Sequence, residues 1–201
     1  VSIGSSRGVT VKGAAFRAAF QGLSIHERPS PHFDERPKGT KIDTVVIHCM
    51  YLPKAPQPLD AESCVQALRK ERVSAHYLIS RRGKIIQLVT PEKRAWHAGV
   101  SKMPFSNDTR ENVNHFSIGI ELVGMPTGLF TTLQYQSLTG LLRALCKAYP
   151  VRAIVGHDAI APGRKVDPGE ALDWALVRRQ LGNSASKGVR FFQGPAQFSV
   201  G

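Results

Sequence analysis

The stretch GHDAIAPGRKVDPG, residues 156–169, holds His157, Lys165 and Asp167 close together between prolines and glycines. Pro168 disfavours helical backbone at Asp167 and keeps it extended, and Pro162 stiffens the loop between the two. Stiffness suits metal ligands, whose geometry tolerates little error, and a histidine with a carboxylate fits Zn2+. A catalytic zinc needs a third protein ligand and an open position for water. His48 is the candidate, because it ends the apolar run TVVIH and would sit at the C-terminal edge of a buried strand, where α/β sheets place function. Glu121 interrupts the otherwise apolar SIGIELVG. A buried carboxylate is costly unless paired or used, and near an activated water it could act as general base. Lys165 could then hydrogen-bond the oxyanion of a tetrahedral intermediate. Each residue also has a plainer reading: a structural histidine at a strand end, a turn at Asp167, a Glu121–arginine pair, a solvated Lys165. Spacing alone leaves both sets open.

The elements that must hold these side chains alternate along the middle of the chain. IDTVVIH (42–48), VSAHYLI (73–79), KIIQLV (84–89), SIGIELV (117–123) and RAIVG (152–156) read as strands, with SRRG a hairpin turn between the second and third. AESCVQALRKER (61–72) places Ala61, Cys64, Val65 and Leu68 on one helix face. TTLQYQSLTGLLRALCKAY (131–149) is the clearest helix: Thr131 and Gln134 resemble a capping box, and Leu138, Leu141, Leu142 and Leu145 form the stripe. ALDWALVRRQL (171–181) is a last amphipathic helix. The alternation predicts a single three-layer α/β domain with helices on both faces of a central sheet. Residues 1–40 read as a lead-in, 41–182 as the domain and 183–201 as a Gly/Ser-rich tail whose phenylalanines either dock on the core or stay loose.

With 201 residues the chain can bury a sizeable core. No apolar run approaches the roughly 18 residues of a membrane span. Cys49, Cys64 and Cys146, an odd number without C-x-x-C spacing, argue against a disulfide framework or a cysteine zinc site and read as buried free thiols. The net charge of +12 is spread along the chain and attracts polyanions without choosing among nucleic acid, membrane surface or wall polymer. No helix with clustered Arg/Lys and no interleaved aromatic motif supports a specific nucleic-acid partner.

SPHFDERP (30–37), VVIHC (45–49), VSAHYLISRRGKIIQLV (73–89), KRAWHAGVS (93–101), NHFSIGIELVG (114–124) and the opening stretch follow one another in an order that resembles the zinc-dependent N-acetylmuramoyl-L-alanine amidases of the AmpD type, relatives of phage amidases and animal peptidoglycan recognition proteins. The resemblance implies a mixed central sheet flanked by helices and one Zn2+ held by His48, His157 and Asp167, with Glu121 as acid/base and Lys165 as transition-state stabiliser. It implies hydrolysis of the amide between N-acetylmuramic acid, or its 1,6-anhydro form, and L-alanine of the stem peptide. Trp96, His97, Ala98 and Gly99 resemble the substrate-lining segment, although core packing accounts for Trp96 nearly as well. His76 reads either as a group behind the metal site or as a satisfied core histidine. Arg82 and Arg164 could meet stem-peptide carboxylates, or be ordinary surface arginines. Cys49, next to His48 on a strand, should face the other way and is not taken as a ligand.

A non-catalytic recognition module of the same fold is the competing function; such modules usually lack a zinc ligand, and this chain matches all three. Peptidoglycan or muropeptide is the expected partner and a monomer the expected state. Positive charge and a first residue other than Met lean towards the cell envelope or periplasm. Free cysteines and the lack of an apolar leader lean towards the cytoplasm, which stands as the alternative to the envelope.

Overall fold

Alternation along two long strands divides the interior. In β3 (Thr44–Met50) and β7 (Ser117–Val123), Val45, Ile47 and Cys49 join Ile118, Ile120 and Leu122 in the largest apolar cluster, while Val46 belongs to a cluster on the opposite face. Successive side chains on a strand point to opposite faces, so His48 shares the face of Val46. The two strands pair in parallel with His48 opposite Glu121. Both are buried along almost their whole length, as central parallel strands covered on both sides should be.

The computed structural model describes residues 18–194. Around β3 and β7 stand β1 (Ile25–Glu27), β4 (Tyr77–Ile79), β5 (Ile85–Gln87), β8 (Ala153–Gly156) and β9 (Arg190–Phe192), in the spatial order β1-β5-β4-β7-β3-β8-β9. Only the β4–β5 pair is antiparallel, so the sheet is mixed. Two further strands, β2 (Phe33–Glu35) and β6 (Lys93–Ala95), form a small antiparallel ribbon. Helix α1 (Ala61–Lys70) lays Cys64, Val65 and Leu68 on one face. Helix α2 (Thr132–Ala148) buries Leu138, Leu141, Leu142 and Leu145 on the other, beside α4 (Trp174–Leu181). The capping box at Thr131 and Gln134 is formed, and Asp60 caps α1. Three layers follow. Among the described residues no helix is long and apolar enough to cross a membrane.

Three departures from the sequence expectation have physical causes. The strand expected over 73–79 is regular only over Tyr77–Ile79: His76 still donates its N–H to the Gly119 carbonyl of β7, but the Ser74 N–H goes to the Trp96 carbonyl, away from the main sheet. The lead-in supplies β1 and β2, and the tail supplies β9, so both ends extend the sheets. Phe191 packs on the core, and the Phe192 ring meets Phe105 edge-on. The segment VSIGSSRGVTVKG and residues 195–201 lie outside the described residues.

Just after β2, Arg36 ties the lead-in to the body of the fold. Its guanidinium donates to the carbonyls of Pro91, Asn114, His115 and Ser117 at 2.7–3.0 Å. Burial lowers its pKa to about 10, which leaves it charged at neutral pH. Arg36→Ala strands these carbonyls, and each unsatisfied buried polar group costs about 1–3 kcal/mol. A loss of at least ~2 kcal/mol in denaturant unfolding is expected. Arg36→Lys should recover only part of it, because an ammonium lacks the planar fork.

Candidate active site

His48 lies near the C-terminal end of β3, and the parallel register brings Glu121 of β7 to the same face. On the other side of β3, β8 ends at Gly156 and His157 opens the one-turn helix α3 (His157–Ile160). The loop that follows is closed by Asp158, which donates its N–H to the Asp167 carbonyl at 2.8 Å and returns Asp167 to His157. Gly156 permits this closure, since a Cβ there would lie 2.2 Å from Asp158 Oδ1 and 3.0 Å from Pro168. As a result His48 Nδ1 and His157 Nδ1 stand 2.9 Å apart, with Asp167 Oδ2 3.2 and 3.1 Å from them.

This cluster fits a zinc-class ion. His157 Nε2 faces the Ala98 carbonyl at 3.1 Å and must donate to it, so the Nε2–H tautomer turns the lone pair of Nδ1 to the cluster. Burial lowers the His48 pKa to about 4, so that ring is neutral at pH 7. Asp167 turns Oδ2 towards both Nδ1 atoms, at 3.2 and 3.1 Å, and supplies the carboxylate oxygen of the set. Two nitrogens and an anionic oxygen thus converge in the interior, an N, N, O donor set of the kind that binds Zn2+. Ligand atoms on a tetrahedral ion with ~2.0–2.1 Å bonds stand roughly 3.3 Å apart, close to the observed spacings. Cys49 is outside the cluster: its thiol donates to the Pro168 carbonyl, and burial pushes its pKa up.

Glu121 is 8% exposed, and its Oε2 has no hydrogen-bond partner among the described residues. Burial raises its pKa well above the usual carboxylate range, the Asp167 charge adds to the rise and Lys165 opposes it. Glu121, Lys165 and the His48, His157, Asp167 cluster line one cavity of about 380 Å3. Trp96, His97, Gly99, Asn114 and Arg164 line it as well.

The remaining residues singled out from the sequence are distributed unevenly. The Ala98 side chain is buried, and its carbonyl accepts from both His157 and Arg164. Arg164 spends Nη2 on the carbonyls of Ala98 and Val100, at 2.7 and 2.6 Å, and so staples the segment where Gly99 has a φ of +58°. His97 lies against His48, with Nδ1 2.9 Å from His48 Nε2. His76 hydrogen-bonds none of the cluster; its Nδ1 accepts from the Gly119 N–H and its ring meets His97 edge-on at 5.7 Å. Arg82 is not brought to this cavity and borders another with Gln57, Asp60 and Met125. Two residues with visible consequences carried no individual signal in the sequence. Asn114 accepts the N–H groups of His97 and Ala98, and buried Asp158 accepts from Ala159 and Gly194. Both sit inside motifs that drew attention, but their partners are remote or local backbone groups that no spacing rule reveals.

A mixed sheet covered by helices on both faces, with this cluster at the C-terminal edge of its central strands, defines an α/β domain with a candidate metal site. The chain belongs to the N-acetylmuramoyl-L-alanine amidase family, Amidase_2, which matches residues 38–170. It is 44% identical over 180 residues to the 1,6-anhydro-N-acetylmuramyl-L-alanine amidase AmpD of Escherichia coli (strain K12), covering 79% of this chain and 93% of that one. A crystal structure of a selenomethionine AmpD derivative is 38% identical with a TM-score of 0.69, over 82% of this chain and 98% of the other. The E. coli amidase AmiD in complex with anhydro-N-acetylmuramic acid-L-Ala-D-gamma-Glu-L-Lys is 27% identical with a TM-score of 0.61, over 74% of this chain and 65% of that chain.

The donor set leads to a direct expectation. Purified protein should take up one zinc-class ion per chain by elemental analysis. Asp167→Ala, which removes the only anionic donor of the cluster, should abolish stoichiometric uptake; full occupancy in that variant would remove Asp167 from the ligand set.

Proposed function

We propose that this chain uses one bound Zn2+ to hydrolyse the amide between the lactyl group of N-acetylmuramic acid, or its 1,6-anhydro form, and L-alanine of a peptidoglycan stem peptide. The observation that carries the reading is a cluster of buried His48 and His157 with half-buried Asp167, sharing a cavity with a Glu121 carboxylate whose Oε2 has no hydrogen-bond partner among the described residues. The AmpD relative, of which the chain covers 93%, supports the substrate class. In this reading the catalytic unit is residues 41–182, which hold every residue given a part in the reaction.

His48, His157 and Asp167 would hold the ion, which supplies Lewis acidity towards the scissile carbonyl and makes water a stronger nucleophile. Glu121 takes a proton from the attacking water and delivers it to the departing L-alanine nitrogen. Its buried position strengthens that exchange, because no solvent competes for Oε2. Lys165, at the cavity wall, donates to the oxygen of the tetrahedral intermediate as charge grows there. Trp96 and Gly99 form the wall against which sugar and peptide are laid.

Glu121→Gln should keep zinc and lower kcat by about 10²–10⁴-fold; unchanged turnover would remove Glu121 as the base. Lys165→Ala should lower kcat by roughly 10²-fold or more with little change in KM, whereas an effect mainly on KM would make it a substrate anchor. Digestion of anhydromuramyl-tripeptide and of intact sacculi, with zinc-loaded and chelated protein and mass detection of released peptides, tests the function itself. Zinc-dependent release from the fragment alone defines a recycling enzyme, to be sought in the cytoplasm. Release from sacculi as well defines a wall-cleaving amidase of the envelope. Bound zinc without release from either would overturn the enzyme reading in favour of a recognition module.

A further inference from the structure

We infer that His97 and Ala98 form a single template that fixes both metal-facing imidazoles with a bare Nδ1, and that Asn114 sets this template; His97 is thus a positioning residue. The inference rests on the zinc reading above and adds to it the part that orients the ligands.

The direction of the hydrogen bonds follows from one fixed end. Ser117 Oγ lies 2.6 Å from the Val113 carbonyl, which can only accept. The hydroxyl hydrogen must point there, since two oxygens that close without a hydrogen between them would repel. Ser117 Oγ then presents a lone pair to His97 Nε2 at 3.1 Å, so His97 carries its hydrogen on Nε2 and has an accepting Nδ1. That Nδ1 is 2.9 Å from His48 Nε2, which must donate. His48 Nδ1 is therefore bare, and it is the atom that faces the cluster. The neighbouring residue does the same for the second ring: the Ala98 carbonyl takes the hydrogen of His157 Nε2. One side chain and one carbonyl, adjacent in sequence, thus prepare two ligands, one carried by β3 and one by the start of α3.

The template is itself held at both ends. Asn114 Oδ1 accepts the N–H of His97 at 3.1 Å and of Ala98 at 2.8 Å, so one amide oxygen fixes two consecutive peptide groups. Beneath the ring, a Cβ on Gly119 would come within 2.5 Å of His97 Cγ. Ser117, Gly119 and Glu121 are alternate residues of β7 and lie on one face. In turn they supply the hydrogen-bond anchor, the bare floor under the ring, and the carboxylate of the cavity.

Partners of metal-bound histidines typically change metal affinity by about 10–100-fold when removed. Competition with a chromophoric zinc chelator should show such a loss for His97→Ala, with most of it restored in His97→Asn, whose Oδ1 can stand near the Nδ1 position and accept from His48. Asn114→Ala should weaken zinc binding and Asn114→Asp, which keeps the oxygen, should restore it. Gly119→Ala should mimic His97→Ala. Circular dichroism and melting of the chelated proteins identify any variant that fails to fold, and the His97→Asn and Asn114→Asp rescues then carry the test. Histidine-ring nitrogen–proton correlation spectra of the metal-free protein give a readout independent of zinc: His48 and His157 should both show the Nε2–H tautomer in the wild type, and His48 should lose it in His97→Ala. Wild-type zinc affinity and an unchanged His48 tautomer in His97→Ala would overturn the inference. So would an effect of His97→Ala confined to KM for the muropeptide, which would make His97 a wall of the substrate cavity. If the wild type takes up no zinc, the metal reading fails, while the tautomer spectra still decide the template.

Discussion

Two imidazole nitrogens and a carboxylate oxygen face one another at 2.9–3.2 Å inside the protein. Three electron-rich atoms do not gather in an interior unless something forces them together and a cation rewards the arrangement. Much of the surrounding structure supplies that force. Parallel pairing of β3 with both β7 and β8 sets His48 between the strand carrying Glu121 and the strand leading to His157. The bond from Asp158 N–H to the Asp167 carbonyl brings the third donor back across a proline-rich loop. The apolar clusters on either face then fix the sheet against which these distances are measured.

The same crowding explains how neighbouring polar groups differ in electrostatic state. Burial favours neutral forms, so it lowers His48 and raises Glu121. Asp167 instead turns Oδ2 to Nδ1 of both histidines, an arrangement that a cation among the three would favour. Glu121 has no such partner, and its Oε2 is left open towards the cavity. The carboxylate proposed to ligate and the carboxylate proposed to exchange a proton thus differ in their surroundings, though both are acids in one pocket.

Much of the fold is legible because period and capping are local properties. The stripe of α2, its capping box at Thr131 and Gln134, and the span of β7 are visible in the residues themselves. The strand ending at Ile79 is regular over less than its apolar pattern, because the Ser74 N–H goes to the Trp96 carbonyl, away from the main sheet. The edge strands β1, β2 and β9 are short, and most of their residues are exposed or only half-buried, so they leave little pattern to read. Their pairing depends on the edges that the completed sheets offer.

For the site, sequence by itself determined the chemical types: a histidine ending a buried strand, a histidine and an aspartate on one stiff loop, and a glutamate within an apolar run. Those are local facts, since an out-of-place polar residue must be used or satisfied. Only the tertiary structure decided which nitrogen of each histidine faces the cluster, that Arg164 staples a loop, and that Arg82 borders a different cavity. It alone placed Asn114 Oδ1 on two peptide groups and His97 over the bare Gly119. Hydrogen-bond direction and close approach depend on distances of a few tenths of an ångström between segments remote in the chain. Residue types and spacings do not carry that information.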